Sequence, residues 1–201
     1  MLIVQKFGGS SIADGDRLRR AAGICMRQRQ NGNEVVVVVS AMGDTTDLLA
    51  DRARVLGGKP SPREMDALIT TGEQQSAALL VMTMESLGIP AVSLAGWQAG
   101  IYTDCRYGDS DIRLIAPVRI REALSRGRVP VVTGFQGVCA AGDITSLGRG
   151  GSDTTAVALA AALESDCCEI YTDVDGIYTA DPRQIPDAVK LDAIDYRDML
   201  A

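Results

Sequence analysis

The run of five valines from Val35 to Val39 constrains the fold more than any other feature of the sequence. β-branched residues favour extended backbone, and an unbroken apolar run leaves no face for solvent. We therefore predict a strand that is covered on both sides, as in a parallel sheet. The same reasoning predicts further strands at residues 2–7, 89–94, 129–133 and 167–172.

Segments with helical periodicity separate these strands. Residues 14–30 carry apolar side chains at helical spacing and end at Asn31-Gly32, and residues 61–64 fit a capping box with proline at the first helical position. Further helices are predicted at residues 48–56, 73–87, 116–126 and 152–164, with another that begins near Tyr196. Strands alternating with helices predict an α/β fold, a three-layer sandwich with a mainly parallel central sheet. The 201 residues fit a single domain, residues 1–201.

Composition excludes several classes of function. The chain has no histidine, which excludes Ser-His and Cys-His catalysis and histidine-ligated zinc. The net charge of −6 gives no support for nucleic acid or a membrane surface as a partner. The five cysteines form no C-x-x-C pair and are predicted to be reduced, small apolar residues. Without a signal sequence or an apolar run of membrane-spanning length, the protein is predicted to be cytoplasmic.

A glycine-rich segment, Lys6-Phe7-Gly8-Gly9-Ser10-Ser11, ends the first predicted strand. Small residues let backbone N–H groups approach a phosphate, and the lysine supplies a point charge. A plain strand-to-helix turn with an exposed lysine would fit the same residues, so this segment alone leaves both interpretations open. The Walker pattern G-x-x-x-x-G-K-[ST] is absent from the sequence.

A second glycine-rich segment runs from Gly148 to Thr155. Arg149 can bind a carboxylate through two parallel hydrogen bonds, and Ser152 can cap the helix that follows, whose N-terminus favours an anion. The alternative is that Ser152 and Asp153 only cap a helix while Arg149 is solvated.

Two helix starts carry further polar side chains. Glu73 could accept hydrogen bonds from an ammonium group or could simply compensate the helix dipole. Thr45 and Thr46 could bind a ligand or cap the helix that follows them.

The turn-rich segment from Thr172 to Arg183 follows a predicted strand. Its aspartates lack the spacing and the closing glutamate of a calcium-binding EF-hand loop, so we predict no metal-ligating residues there. Contacts with a nucleotide base and ribose are the better interpretation, with Tyr178 and Arg183 as candidates.

Together, five segments resemble the aspartate kinases of the amino-acid kinase family, in the family's order and over most of the chain. They are KFGGSS at 6–11, SAMGDTTDLL at 40–49, TTGEQQSAALL at 70–80, LGRGGSDTTAVALAAAL at 147–163 and YTDVDGIYTADPR at 171–183. The last segment also resembles other members, including uridylate kinases, whereas KFGGSS with RGGSD is closer to aspartate kinases.

The resemblance implies transfer of the γ-phosphate of ATP, with Mg²⁺, to the side-chain carboxylate of aspartate, the first step towards lysine, threonine and methionine. It implies two catalytic residues, Lys6 at the γ-phosphate and Asp153, which would organise Lys6. The implied ATP-binding residues are Lys6, Phe7, Gly8, Gly9, Ser10, Thr172, Asp173, Tyr178, Asp181 and Arg183. The implied aspartate-binding residues are Ser40, Thr46, Glu73, Arg149, Gly150, Gly151 and Ser152.

The composition is consistent with this chemistry. A carboxylate acceptor has a pKa of roughly 4, so it is ionised at neutral pH and needs no general base. Catalysis then consists of positioning and charge neutralisation, which do not require histidine. Glu73 and Arg149 would recognise the ammonium and carboxylate groups of the amino acid.

Members of the family continue beyond the helix predicted near Tyr196, with another nucleotide-contacting lysine and with regulatory domains. We therefore expect a kinase domain that is incomplete at its C-terminus and lacks regulatory domains, as a homodimer or with a complementing C-terminal chain. Two alternatives stay open. One is a catalytically impaired module that binds nucleotide and amino acid, and the other is a kinase with another amino acid or a nucleoside monophosphate as acceptor.

Overall fold

The computed structural model describes residues 1–174, 176–180, 184–185 and 187–195. The chain divides into two compact units, residues 1–171 and a second unit that begins at Thr172. The two units are described separately, and the assignment of residues 1–201 to a single domain stays a prediction. The helix predicted near Tyr196 lies outside the described residues.

The first unit is built on a five-stranded sheet in which every neighbouring pair is parallel. In chain order, the strands of this unit are β1 (Leu2–Phe7), β2 (Glu34–Val39), β3 (Ala91–Leu94), β4 (Ile101–Thr103), β5 (Ile112–Ile115), β6 (Val129–Thr133), β7 (Gln136–Cys139), β8 (Ile144–Ser146) and β9 (Cys167–Tyr171). The order across the central sheet is β3-β6-β2-β1-β9. The loops after β1, β2 and β6 therefore leave the same edge of the sheet, where ligands of such folds bind.

Helices cover both faces of this sheet. They are α1 (Gly15–Gln30), α2 (Thr45–Arg54), α3 (Pro62–Ile69), α4 (Thr71–Ser86), α5 (Val118–Ser125) and α6 (Gly151–Leu163). Val35, Val37 and Val39 join the core beneath α1 and α4, and Val36 and Val38 join the core beneath α5 and α6. The valine run is therefore buried from both sides, and the predicted three-layer α/β fold is confirmed.

Local sequence explains where two of the helices begin. Asp14 accepts a hydrogen bond from the backbone N–H of Arg17 at 2.9 Å, and Ser61 accepts one from Glu64 at 3.4 Å. The predicted capping role of Ser152 is wrong, since α6 is entered through Gly150, whose φ of 75° places it in the left-handed region. This entry moves Ser152 into the helix itself.

A second, four-stranded sheet in the order β5-β4-β7-β8 was not expected from the sequence. Parallel pairing of β4 with β7 sets Thr103 opposite Cys139 and brings Cys105 next to Cys139, with their Cα atoms 5.2 Å apart. The two cysteines form a disulfide, so the prediction that all five are reduced is wrong. Their separation of 34 residues gave no signal, because the proximity arises from the strand pairing.

The second unit contains a two-stranded antiparallel ribbon of β10 (Ile177–Tyr178) and β11 (Lys190–Leu191). Over the described ranges, no helix has both the length and the apolar character needed to span a membrane.

Candidate active site

Loops from several elements enclose a cavity of about 210 Å³ in the first unit. Its walls come from the end of β1, from the loop after β2, from α4, and from the glycine-rich entry to α6. The lining residues are Lys6, Ser40, Thr46, Glu73, Phe135, Gly148, Arg149, Gly150, Gly151, Ser152 and Asp153. The structure thus brings together residues that are up to 147 positions apart in the sequence, from Lys6 to Asp153.

Lys6 lies on β1, an interior strand of the five-stranded sheet, and is only 7% exposed. Its Nζ atom is 2.7 Å from Oδ1 of Asp153, in the first turn of α6. The contact is an ion pair, and the Asp153 side chain stays about half exposed. This burial excludes the alternative interpretation of the segment, in which Lys6 would be an exposed lysine at a plain strand-to-helix turn.

Glycine at positions 8 and 9 allows two loops to meet beside Lys6. A Cβ atom on Gly9 would lie 2.5 Å from the carbonyl oxygen of Ala41, and the N–H of Gly43 donates to the carbonyl of Gly9 at 3.1 Å. A Cβ atom on Gly8 would lie 3.6 Å from Nζ of Lys6. The backbone is consequently open beside the ammonium group, as a phosphate site needs.

Glu73 is a buried carboxylate with one unpaired oxygen. It is 3% exposed, and its Oε1 accepts a hydrogen bond from the N–H of Ala41 at 3.1 Å. Oε2 is buried without a hydrogen-bond partner in the part of the chain that the structure describes. Burial raises the pKa of Glu73 to about 7. An ammonium group in the cavity would satisfy Oε2 and favour the ionised form.

Arg149 lies on a loop whose backbone depends on glycine. Gly148 and Gly150 have φ values of 71° and 75°, in the left-handed region. Arg149 is exposed and forms no ion pair or hydrogen bond with another described side chain. Its guanidinium group is therefore available to a carboxylate ligand at the mouth of the cavity.

The remaining predicted substrate-binding residues also line the cavity. They are Ser40, Thr46, Gly150, Gly151 and Ser152. The hydroxyl of Thr45 donates to the carbonyl of Met42 at 2.6 Å, and neither threonine caps α2. Thr46 lines the cavity, whereas Thr45 is not among the lining residues.

Sequence reasoning missed the lining residue Phe135, and Gly148 was part of a proposed segment but was not assigned a role. Phe135 follows β6 and has a φ of 67°, which is uncommon for a residue with a side chain and marks a special backbone position. Gly134 before it approaches Ser152 so closely that a Cβ atom would lie 2.8 Å from that side chain. A glycine followed by an aromatic residue at the end of a buried strand was the only available signal.

Several predicted ATP-binding residues do not line the cavity. The side chain of Phe7 is 1% exposed and stacks on Tyr171 with ring centroids 4.8 Å apart, so only its backbone could contact a ligand. Gly8, Gly9 and Ser10 follow Phe7 along the chain and are not among the lining residues. Thr172, Asp173 and Tyr178 belong to the second unit, where Thr172 donates to Asp173 at 3.1 Å. Asp181 and Arg183 lie outside the described residues. The ATP contacts of all these residues stay predictions.

Comparison with known proteins supports a family assignment. The model of the amino acid kinase family matches residues 1–201. The chain is 56% identical to an aspartokinase of Mycolicibacterium smegmatis over 200 residues, which is 99% of this chain and 48% of that protein. The chain thus spans about half the length of the curated relatives it matches.

Two solved structures are also similar. The crystal structure of aspartate kinase from Synechocystis has a TM-score of 0.81 and 49% identity, covering 94% of this chain and 31% of that one. The structure of Escherichia coli aspartokinase III in complex with aspartate and ADP has a TM-score of 0.85 and 28% identity, covering 96% of this chain and 54% of that one. The fold, the order of the segments and the match along the whole sequence agree, and the chain belongs to the amino acid kinase family.

Proposed function

We propose that this chain carries the kinase site of an aspartate kinase, which moves the γ-phosphate of ATP to the side-chain carboxylate of aspartate. The observation that carries the proposal is one cavity lined by a buried lysine, a buried carboxylate and an arginine. Among the described residues, one oxygen of that carboxylate has no hydrogen-bond partner and the arginine has no ion pair. The similar E. coli enzyme forms a complex with aspartate and ADP, which supports the same pair of ligand classes here.

The charges of the cavity match those of an amino acid. Glu73 would accept hydrogen bonds from the α-ammonium group through Oε2, and Arg149 would bind the α-carboxylate. Ser40, Thr46 and Ser152 would add hydroxyl contacts, with the backbone of Gly150 and Gly151 beside them. A nucleoside monophosphate has no ammonium group for Glu73, so an amino-acid acceptor fits better.

Phosphoryl transfer to a carboxylate requires no proton to be removed. The attacking oxygen of aspartate forms a bond to the γ-phosphorus, and the bond from that phosphorus to the bridging oxygen of ADP breaks. The obstacle is the approach of two anions, so catalysis depends on positioning and on positive charge. Lys6 would stabilise the negative charge on the transferring group, and Asp153, 2.7 Å away, would hold its ammonium in place.

The residues present fit a Mg²⁺ ion carried by the nucleotide. Mg²⁺ in kinase sites is usually held by one or two carboxylates together with substrate phosphates. Asp153 offers a half-exposed carboxylate in the cavity, and the described ranges contain no cluster of three metal-ligating side chains. When bound, the ion would add positive charge next to the phosphates.

The rest of the nucleotide would contact two further groups of residues. The backbone of Phe7, Gly8, Gly9 and Ser10 would surround the phosphates next to Lys6. The base and ribose are assigned to Thr172, Asp173, Tyr178, Asp181 and Arg183 on the resemblance alone. The same resemblance supports a cytoplasmic enzyme at the start of the route to lysine, threonine and methionine, as a homodimer or with a complementing chain.

Hydroxylamine trapping tests the function directly. The chain is incubated with Mg-ATP and aspartate, and the acyl phosphate is captured as its hydroxamate. We expect hydroxamate with aspartate and none with succinate, which lacks the ammonium group. Release of ADP is followed in parallel, because UDP formed from UMP would give no hydroxamate, and we expect no ADP above background with UMP. Turnover of a nucleoside monophosphate would overturn the acceptor assignment. Calorimetric binding of ADP and aspartate without any turnover would instead favour the impaired binding module.

A further inference from the structure

A second buried carboxylate lies outside the proposed site. Asp66, on α3, is 1% exposed and forms no ion pair with any described residue. It lines a separate cavity of about 470 Å³ that shares Phe135, Gly148 and Arg149 with the first. A buried charge without a cation is costly unless hydrogen bonds satisfy it, so its partners define its role.

Three hydrogen bonds satisfy the Asp66 carboxylate. Oδ2 accepts from the backbone N–H of Gly108 at 2.9 Å and from that of Ser146 at 2.9 Å. Oδ1 accepts from the hydroxyl of Ser146 at 2.7 Å. One side chain therefore fastens α3 both to the end of β8 and to the loop that follows β4.

The two segments held by Asp66 also contact each other. The N–H of Ser110 donates to the carbonyl of Ser146 at 2.8 Å. A Cβ atom on Gly148 would lie 2.5 Å from Oδ1 of Asp109, so residues 108–110 form a wall against which residues 146–148 lie. Asp66 fixes this wall and the segment that rests on it.

Arg149 comes directly after that segment. On its other side Gly150 has a φ of 75° and leads into α6. The side chain of Arg149 has no described partner that could orient it, so its position depends on how its backbone is held.

We propose that Asp66 is a positioning residue for Arg149. By fixing Ser146 and Gly108, it would set the direction from which Arg149 approaches the α-carboxylate of the acceptor. The inference rests on the proposed function for the identity of that ligand. The anchoring itself can be measured without any ligand.

The first test is hydrogen exchange of the chain without substrate. Asp66→Ala should speed exchange of the amides at 146–151 roughly tenfold, because the buried N–H of Ser146 loses its acceptor and the contact with Gly108 is lost. Asp143→Ala is the matched control, since Asp143 also joins α3 to the small sheet through Arg63 and accepts a hydrogen bond from Tyr107. Asp143→Ala should leave the exchange rates of the amides at 146–151 unchanged. Unchanged exchange in folded Asp66→Ala would overturn the inference.

The second test is a double-mutant cycle with aspartate as substrate. Asp66→Ala should raise the KM for aspartate roughly tenfold or more, with a smaller effect on kcat and on the KM for ATP. In an Arg149→Ala background the same change should raise KM less than about threefold, because its effect acts through Arg149. Effects that multiply fully in the double variant would overturn the inference, since a general loss of structure would act in both backgrounds.

Two further variants keep the tests decisive. Asp66→Asn should restore most of the lost affinity, because its carbonyl can accept both N–H groups while its amide donates to the Ser146 hydroxyl. If Asp66→Ala does not fold, Ser146→Ala removes only the 2.7 Å bond and should give a smaller change of the same kind. A wild-type chain that binds no aspartate would overturn the proposed function, while hydrogen exchange would still decide the role of Asp66.

Discussion

The two sides of the cavity hold their charges in different ways. At the end of β1, Lys6 is buried and paired with Asp153 at 2.7 Å. On the opposite side, Oε2 of Glu73 has no hydrogen-bond partner and Arg149 has no ion pair within the described ranges. One side is thus ion-paired within the protein, whereas the other offers charged groups that are not paired with any described residue.

This difference separates catalysis from recognition. Groups that are satisfied by the protein are held in place and can act on charge that develops during the reaction. Groups left unsatisfied gain most when the ground-state substrate binds. Substitutions on the two sides should therefore affect different kinetic constants.

Replacement of Lys6 should have the largest effect. Lys6→Ala is expected to lower kcat by roughly 10²–10³, with little change in the KM for aspartate, because the lost interaction is strongest in the transition state. Hydroxamate formation measures both constants. The exposed Lys59 provides the control Lys59→Ala, which should be inert. A rise in KM at unchanged kcat in Lys6→Ala would contradict the division between the two sides.

Glu73 should make the stability of the ligand-free protein depend on pH. Burial raises its pKa from 4.5 to about 7, so the folded state retains a proton that the unfolded state loses. The stabilising contribution is complete below pH 4.5 and is lost as the pH rises through 7. The difference corresponds to about 3 kcal/mol in the free energy of unfolding.

Urea unfolding of the wild type and of Glu73→Gln between pH 4.5 and 8 measures this contribution. The wild type should lose stability relative to the variant as the pH rises. Parallel profiles would show that Glu73 titrates normally and that Oε2 is solvated. Addition of aspartate should reduce the difference between the wild type and the variant, because the ammonium group of aspartate favours the ionised form of Glu73.

Arg149→Lys should weaken recognition without abolishing the reaction. A lysine retains the charge but cannot form two parallel hydrogen bonds to a carboxylate, so the KM for aspartate should rise roughly 10–100-fold. kcat should fall much less. Arg20→Lys, at an exposed site on α1, is the control. A larger effect on kcat than on the KM for aspartate would instead indicate that Arg149 acts in catalysis.

Thr46→Val should have the smallest effect. Loss of one neutral hydrogen bond costs about 0.5–1.5 kcal/mol, which corresponds to a rise of about two- to tenfold in the KM for aspartate. Thr46→Ser keeps the hydroxyl and should behave like the wild type. If Thr46→Ser were impaired while Thr46→Val behaved like the wild type, packing of the methyl group would be responsible, and the hydroxyl would have no part in recognition.

Local patterns were sufficient for the central fold. The valine run and the apolar segments at residues 2–7 and 129–133 each identify a strand from neighbouring residues alone, and parallel order then brings their loops to one edge. Lys6 and Glu73 could be proposed for the same reason, because each stands at a recognisable strand end or helix start.

Features that depend on distant pairing were not predictable. β4 and β8 have three residues each and carry too little periodicity to be recognised. The disulfide between Cys105 and Cys139 and the contacts of Asp66 both follow from that small sheet. In the sequence, Asp66 looks like an ordinary polar residue on an amphipathic helix, and its hydrogen bonds to Gly108 and Ser146 are known only from the structure.

The location of Lys6 has a consequence for how such a site can change. β1 is hydrogen-bonded on both sides, to β2 and to β9, so displacing Lys6 would require two strand ladders to open. Arg149 lies outside any strand ladder, on a loop between Gly148 and Gly150. New acceptors should therefore be reached by altering the loops while the phosphate-transferring end keeps its geometry, which makes residues 146–151 the rational place to begin redesigning selectivity.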